Sequence, residues 1–410
     1  MARQVTIHAS RIAMPLAYAP IFPLALGTFA IGTEGFMIAP LLPTVAADLG
    51  VSVPTAGHLV TAFAFAFALS SPVLTVLTGS VDRRRLLISA MIVFSLANVM
   101  ACVSEGYWGV MSARLLLALA AGLYVPNANA LAGALVSPDK RGRALAIVNG
   151  GTTMAIAFGL PLAALIGHRF GWRMTFAAVA IFSFAATAGL FLGLSRDVGH
   201  KLPIASLQER AAVARRPSVL LALLVTTIWA MGAYVVLTYI APYLTATTGL
   251  EASGIGAIVF LWGIAAAIGV FSGGYLSDRF GSLTVMIPAL LLLALAFATL
   301  SASAYFLDQS HAIVPVVGAI VIWGFAAWGF FPAQQARLIA IGGLQVAPIV
   351  LSLNASFMFI GFSAGAALGS AVLASSSVAN LGWVGASAEV MAVLLILATT
   401  LKAAPRPTST

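Results

Sequence analysis

Long apolar runs separated by short polar loops organise almost the whole chain. A helix needs about 20 apolar residues to cross a bilayer, and polar loops with Gly and Pro divide the chain into twelve such runs. The runs lack the two-residue alternation of barrel strands, so helices are predicted. The predicted spans, numbered 1 to 12, are 17–43, 56–79, 86–103, 108–131, 143–167, 173–194, 218–244, 254–276, 284–306, 312–337, 347–374 and 383–401.

The composition predicts that most of the protein surface faces lipid. Of the 410 residues, 61% are hydrophobic and 8% are charged, whereas soluble domains carry roughly 25% charged residues. Because lipid cannot hydrogen-bond an exposed backbone, the predicted fold class is an all-α membrane protein embedded in a bilayer. The apolar stretch near the N-terminus is too long for a cleaved signal, so it is interpreted as span 1.

The positive charge predicts the orientation of the chain. A net charge of +9 would suggest nucleic acid as a partner of a soluble protein. Here the basic residues lie in short loops, so no nucleic-acid partner is expected. With the N-terminus inside, 17 of the 20 Lys and Arg residues face the cytoplasm. This bias predicts a multi-pass protein of the bacterial inner (plasma) membrane with both termini cytoplasmic.

The two halves of the chain repeat each other. Ala39-Pro40-Leu41-Leu42 corresponds to Ala241-Pro242-Tyr243-Leu244, and Asp82-Arg83 corresponds to Asp278-Arg279. Similar offsets in the same order indicate duplication of a six-span unit with parallel halves. The predicted domains are an N-terminal six-helix bundle at 1–195, a cytoplasmic linker at 196–217 with a helix from Ala205 to Arg215, and a C-terminal six-helix bundle at 218–410.

Two ionisable residues inside predicted spans are the candidates for proton coupling. Glu34 lies about 13 Å from the outer end of span 1, and Arg114 lies about 9 Å deep in span 4. An ionised group at such depth is costly and marks a functional site by default. A Glu34–Arg114 pair would respond to protonation of the acid. The alternatives are a static Glu34 partner for packing and an Arg114 that snorkels to the interface.

Short motifs in loops and in span 5 are candidates for conformational switching. The loop after span 2 contains Asp82, Arg83, Arg84 and Arg85, and the loop after span 8 contains Gly274, Asp278, Arg279 and Gly281. Acid–base pairs at helix ends can cap a neighbouring helix, although orientation alone would also explain the arginines. Gly159, Pro161 and Gly167 of span 5 allow bending and close helix contact, a composition that pure packing would also explain.

Aromatic and amide side chains supply the candidates for a substrate cavity. The C-terminal half has almost no charge inside its spans, the exception being Glu389, which is predicted near the outer part of span 12. The cavity candidates are Met37, Asn127, Tyr234, Tyr239, Trp262, Trp328, Asn354 and Phe357. There is no phosphate loop and no metal-ligand spacing among the histidines, so no cofactor and no metal is expected.

These motifs resemble the major facilitator superfamily, and within it the twelve-span drug:proton antiporters. The segment from Glu34 to Ser52 and the stretch Gly159-Leu160-Pro161-Leu162 are similar to the bacterial sugar, nucleoside and chloramphenicol efflux branch. Thr78 departs from the usual loop motif, which has glycine there. The resemblance implies a monomer, not an enzyme, that exports a small organic solute in exchange for protons by rocking its halves.

Other functions stay open from the sequence. Proton symport or facilitated diffusion of a small metabolite is the alternative within transport. A channel would need a ring of selectivity groups, and a membrane enzyme would need a cluster of catalytic residues, neither of which is evident. A sensor on a transporter scaffold would be expected to lose its coupling charges, whereas this chain retains Glu34. The substrate, whether drug, sugar derivative, nucleoside or lipophilic cation, is not specified by these patterns.

Overall fold

The computed structural model describes residues 16–137, 140–195 and 206–403. Within these residues, twelve helices are long and apolar enough to cross a membrane, which confirms the predicted number of spans. Spans 1 to 6 are Ala19–Asp48, Val53–Leu77, Arg83–Val103, Tyr107–Ala134, Arg143–Phe170 and Arg173–Gly193. Spans 7 to 12 are Pro217–Leu237, Ser253–Phe280, Ser282–Phe306, Gln309–Gly342, Ala347–Ser375 and Val378–Thr400.

The predicted ends of the spans differ from the observed ends mainly where the helices are interrupted. Span 1 continues through a tight turn at Ala39–Leu41 into a further helix at Leu42–Asp48. Span 7 ends at Leu237, and the last predicted residues form a separate helix at Ile240–Thr248. A proline near each interruption removes a backbone donor, which explains why the continuous apolar runs do not form continuous helices.

The twelve spans form two bundles of six that meet along two seams. In the first bundle span 2 packs on span 4 and span 3 packs on span 6, while in the second span 8 packs on span 10 and span 7 packs on span 11. Span 2 lies along span 11 at one seam, and span 5 lies along span 8 at the other. The helices closest to the seams are therefore the ones that must slide if the bundles move relative to each other.

The two ends of the molecule differ in charge. The arginine-rich end carries Arg83, Arg84 and Arg85, and the opposite end carries the turns after Asp48 and Gly171. A short linker helix, Leu207–Ala214, lies at the arginine-rich end and begins with a capping box made by Ser206 and Glu209. This helix matches the predicted linker helix, while residues 196–205 of the linker and both termini lie outside the described residues.

Candidate functional site

A buried ion pair joins span 1 to span 4. Glu34 Oε1 accepts a hydrogen bond from Arg114 Nη1, and neither side chain is exposed at all (0% for both). Arg114 also donates to the carbonyl oxygens of Leu59 and Glu34, each at 3.3 Å. Among the described residues, Glu34 Oε2 and Arg114 Nη2 find no hydrogen-bond partner. The pair is therefore strong in Coulomb terms but incompletely hydrogen-bonded, which leaves one carboxylate oxygen available for a proton.

Close helix packing holds the pair in this position. Gly27 lies seven residues before Glu34 and on the same face of span 1, and a side chain there would collide with Tyr124 of span 4. Span 1 and span 4 can therefore approach closely enough for Glu34 to reach Arg114. The guanidinium of Arg114 lies over the ring of Phe63 at 4.2 Å from its centroid, so span 2 also fixes the arginine.

A row of aromatic rings connects Arg114 to the centre of the molecule and crosses from one bundle to the other. It begins at Phe63, and the ring of Phe67 stacks on that of Phe359 of span 11 with centroids 3.8 Å apart. Successive centroids along the row are 6.4, 3.8, 5.2 and 3.7 Å apart for Phe63, Phe67, Phe359, Phe362 and Tyr234. A change at the ion pair therefore has a continuous packed route to the second bundle.

The row ends at a small central cavity between the bundles. The cavity has a volume of about 20 Å³, which is room for about one water molecule. The described residues that line it are Phe36, Trp229, Ala233, Tyr234, Leu237, Trp262, Trp323, Ala327, Trp328 and Phe362. Seven of these ten are aromatic and none is charged. The cavity lining is therefore apolar and largely aromatic.

Three tryptophans of the lining have unsatisfied polar groups. The indole nitrogens of Trp229, Trp262 and Trp323 are buried and have no hydrogen-bond partner among the described residues. A buried donor without a partner costs about 1–3 kcal/mol, so a group of three at one cavity needs an explanation. Acceptor atoms of a ligand, or water in its place, would satisfy these indole N–H groups.

The structure brings three of the eight predicted cavity residues to this lining, namely Tyr234, Trp262 and Trp328. Met37 is fully buried in the helix packing of span 1. Asn354 accepts a hydrogen bond from Thr226 at 2.7 Å, and Phe357 packs at the edge of a separate apolar cluster near the arginine-rich end. The remaining two residues, Asn127 and Tyr239, lie at opposite ends of the molecule and are described below with their contacts.

Four lining residues are not among the cavity candidates predicted from the sequence, namely Phe36, Trp229, Trp323 and Phe362. Phe36 lies two residues after Glu34, and that proximity is the signal that could have identified it. The other three lie on helices that are apolar on every side, so the sequence carries no polar face from which their orientation could be read.

The first predicted switch loop is tied to its own bundle. Asp82 caps span 3 by accepting a hydrogen bond from the backbone N–H of Arg85 at 2.9 Å. Arg83 is buried, with 2% exposure, and donates to the side-chain oxygen of Asn127 of span 4. Arg84 donates to the carbonyl oxygens of Phe191 and Leu194 of span 6 at 2.7 and 2.8 Å. The loop therefore holds spans 3, 4 and 6 together.

The second predicted switch loop is arranged differently. Asp278 and Arg279 are exposed, and Arg279 Nη1 donates to the hydroxyl of Tyr275, one turn earlier on the same helix, at 3.1 Å. Gly274 packs toward span 10 without close contact. Gly281 has a φ of +90°, a conformation that favours glycine, and it makes the sharp turn between spans 8 and 9. The sequence repeat is thus not matched by equal side-chain contacts.

The predicted motif of span 5 fits tightly against span 1. Span 5 contains a π-helical turn at Ala155–Gly159 just before Pro161, as expected where proline removes a backbone donor. A side chain at Gly159 would collide with Thr33, and one at Gly167 would collide with Leu41. The two glycines therefore allow span 5 to pack directly beside the helix that carries Glu34.

The two bundles are closed against each other toward the opposite end. Ser370 of span 11 donates to the carbonyl oxygen of Pro54 at 3.0 Å, and Ser363 donates to that of Thr61 at 3.0 Å. Tyr239 fills the space between Gly57 of span 2 and Gly369 of span 11, where side chains would collide with it. These contacts close the seam between spans 2 and 11 on the side of the central cavity that is farther from the arginine-rich end.

Two six-helix bundles around an uncharged central cavity, with a buried ion pair in one bundle, define a polytopic membrane transporter. Residues 24–340 match the model of the Major Facilitator Superfamily, and the chain belongs to this family. Its members are transporters rather than enzymes.

Several curated bacterial proteins are similar to the chain over nearly their whole length. An uncharacterised MFS-type transporter, YbcL of Bacillus subtilis, is 33% identical and covers 92% of this chain and 94% of its own length. The inner membrane transport protein YdhP of Escherichia coli K12 is 32% identical, and the match covers 92% of this chain and 95% of that protein. A chloramphenicol resistance protein of Streptomyces lividans is 31% identical, and the match covers 94% of this chain and 96% of that protein.

A solved structure shares the fold. The human organic anion transporter MFSD10 (TETRAN) superimposes with a TM-score of 0.69 and covers 93% of this chain and 100% of its own chain. Its sequence identity of 16% supports the fold alone.

Proposed function

We propose that this transporter exports small organic solutes across the bacterial inner membrane in exchange for protons, acting as a monomer. The observation that carries the proposal is the buried Glu34–Arg114 pair, which a row of packed rings links to the central cavity. The similarity to a chloramphenicol resistance protein supports export as the direction. The arginine-rich end faces the cytoplasm in this proposal, because basic loops are retained there.

Protonation of Glu34 changes the stability of the closed arrangement. A proton bound at Oε2, the oxygen without a partner, neutralises the carboxylate and leaves the Arg114 charge buried without a counter-charge. Breaking a buried pair in this way costs about 3–5 kcal/mol, which is enough to reverse a two-state equilibrium of similar size. Glu34 and Arg114 are therefore the proton-coupling residues of the proposal.

The order of events follows from the closed seam. With the outer end shut and Glu34 ionised, the solute enters from the cytoplasm, and the bundles 1–195 and 218–410 then rock relative to each other, joined by the linker 196–217. The seam between spans 2 and 11 opens, the solute leaves, and a proton from outside binds Glu34. Closing of the seam restores the pair with Arg114 and releases this proton to the cytoplasm. The contacts of Arg83 and Arg84 keep the first bundle rigid during this motion.

The lining of the cavity supports a class of solute. Aromatic walls without charge favour uncharged, partly aromatic molecules, and the indole N–H groups of Trp229, Trp262 and Trp323 favour molecules that bear several acceptor oxygens. Chloramphenicol has this character, since it combines a nitro-substituted ring with an amide and hydroxyl groups. A lipophilic cation without acceptors would leave the indole groups unsatisfied.

The test is proton release on addition of solute to purified protein in detergent, followed with a pH dye. The solutes are chloramphenicol, a simple pentoside, inosine and a lipophilic cation. Wild type, Glu34→Gln and Glu105→Gln are compared, because Glu105 is an exposed acid in the turn between spans 3 and 4 and serves as a matched control.

We expect chloramphenicol to release protons from wild type and Glu105→Gln but not from Glu34→Gln. Equal release from all three proteins would place the coupling site elsewhere. Binding without release from any of them would favour facilitated diffusion or symport and would sink the exchange mechanism.

A further inference from the structure

A second acid is buried in the other bundle. Glu389 lies near the middle of span 12 with 0% exposure, and neither of its carboxyl oxygens has a hydrogen-bond partner in the part of the chain that the structure describes. It was predicted near the outer part of the span, but the span begins at Val378, five residues before the predicted start. This carboxyl is not used by the exchange mechanism proposed for Glu34.

The described neighbours of Glu389 offer no counter-charge. Its Oε1 lies directly against Gly232 of span 7, and span 12 packs against spans 7 and 9. The sole titratable side chain of span 7 is Tyr234, which stacks on Phe362, and that of span 9 is Tyr305, which bonds Asn380 near the opposite end. Arg337 of span 10 reaches span 12 at Thr399, ten residues away from Glu389 and therefore about 15 Å along the helix.

An ionised carboxylate in these surroundings would be unstable. Burial of an unpaired charge costs several kcal/mol even after relaxation, and such groups take up a proton instead. The neutral acid also gains no hydrogen bond here, so a leucine or methionine would pack better. A buried ionisable residue that does not stabilise the fold is expected to serve a function in a membrane protein.

Span 7 connects this acid to the cavity and to the closed seam. Trp229 and Ala233 of this helix line the cavity. Gly232, which immediately precedes Ala233, contacts Glu389. The helix ends at Leu237, and Tyr239 just beyond it is inserted between Gly57 and Gly369. Opening of the seam must move Tyr239 and hence span 7, which changes the packing that excludes water from Glu389.

We propose that Glu389 is a second proton-binding site. It takes up a proton as the end of the molecule opposite the arginine-rich end closes, and it ionises as that end opens. Proton binding at this site stabilises the closed arrangement, so acid at the opposite end promotes the return of the transporter after the solute has left. The proposal goes beyond the exchange at Glu34 and does not depend on it.

Infrared spectroscopy tests the first half of the proposal without a substrate. The C=O stretch of a protonated carboxylic acid is measured at neutral pH for wild type, Glu389→Gln and Glu34→Gln, all as purified full-length protein. We expect Glu389→Gln to lose intensity equal to about one protonated acid per molecule, because glutamine has no such group. An unchanged band in Glu389→Gln would show that Glu389 is ionised and would overturn the proposal, whatever the result for Glu34→Gln.

Variants that hold the seam open test the second half. Gly57→Leu and Gly369→Leu each place a side chain where Tyr239 lies, from opposite bundles. We expect both variants to lose the infrared band assigned to Glu389. The same band at full intensity in either folded variant would show that Glu389 is a permanently protonated, structural acid and would overturn the proposal.

A further measurement needs no glycine variant. Raising the pH should lower the protection factors at the start of span 2 in wild type, once exchange rates are corrected for their intrinsic pH dependence, because ionisation of Glu389 opens the seam. The protection factors of Glu389→Gln should not fall. Identical pH dependence in both proteins would contradict the linkage between this site and the seam.

Discussion

Removing either charge of the Glu34–Arg114 pair should destabilise the protein far more than removing both. In Glu34→Gln the Arg114 guanidinium stays fully buried with no anion beside it, a change that costs about 3–5 kcal/mol. Arg114 keeps its bonds to two carbonyl oxygens and its contact with the Phe63 ring, so the lower end of this range is expected. The double variant Glu34→Gln, Arg114→Gln has no buried charge and should recover at least half of the loss.

The measurement is a double-mutant cycle on unfolding by SDS in mixed micelles. The control is the pair of Asp48 and Arg173 at the opposite end, whose side chains are 45% and 30% exposed. Exposed pairs contribute about 0–1 kcal/mol, so its cycle should give a small coupling energy. A coupling energy for Glu34 and Arg114 below about 1 kcal/mol, or equal to that of the control, would refute the description of this pair as a strongly coupled switch.

Three further outcomes follow from the packing. Trp262→Phe removes a buried indole donor but keeps an aromatic wall, so chloramphenicol should bind about three- to tenfold more weakly when its affinity is measured by calorimetry. The control variant Trp172→Phe, which lies outside the cavity, should bind chloramphenicol as wild type does. Gly159→Leu should lower stability by more than about 2 kcal/mol in thermal unfolding, because the side chain collides with Thr33. Ser370→Ala removes a bond across the seam, so exchange at the start of span 2 should rise about fivefold.

The helical framework could be predicted because membrane burial imposes strong rules on sequence. A span must be long and apolar, and charged loops must stay outside the hydrocarbon, so all twelve spans were found with small errors at their ends. The pairing of Glu34 with Arg114 could also be anticipated, since two opposite charges at similar depth have few other ways to be accommodated.

The cavity could be predicted only in part, for a physical reason. In spans that are apolar on all sides, hydropathy does not distinguish a residue that faces lipid from one that faces another helix. Tyr239 illustrates the limit, because it was expected in the cavity but instead separates two glycines at the closed seam, with its hydroxyl bonded to Ala366 at 3.0 Å. Nothing in the local sequence of an aromatic residue reveals such a role, since the glycines that admit it lie on spans 2 and 11.

The two buried acids obey opposite electrostatic rules, and this contrast limits how the bundles can work together. Glu34 has a cation beside it, so ionisation stabilises the closed arrangement at the first bundle and protonation weakens it. Glu389 has no cation beside it among the described residues, so protonation stabilises the closed arrangement at the second bundle. A closed state with Glu34 ionised and Glu389 neutral is therefore favoured by both sites. Because only Glu34 loses stability when it is protonated in this state, closing of the seam favours loss of the proton from Glu34 and retention of the proton on Glu389.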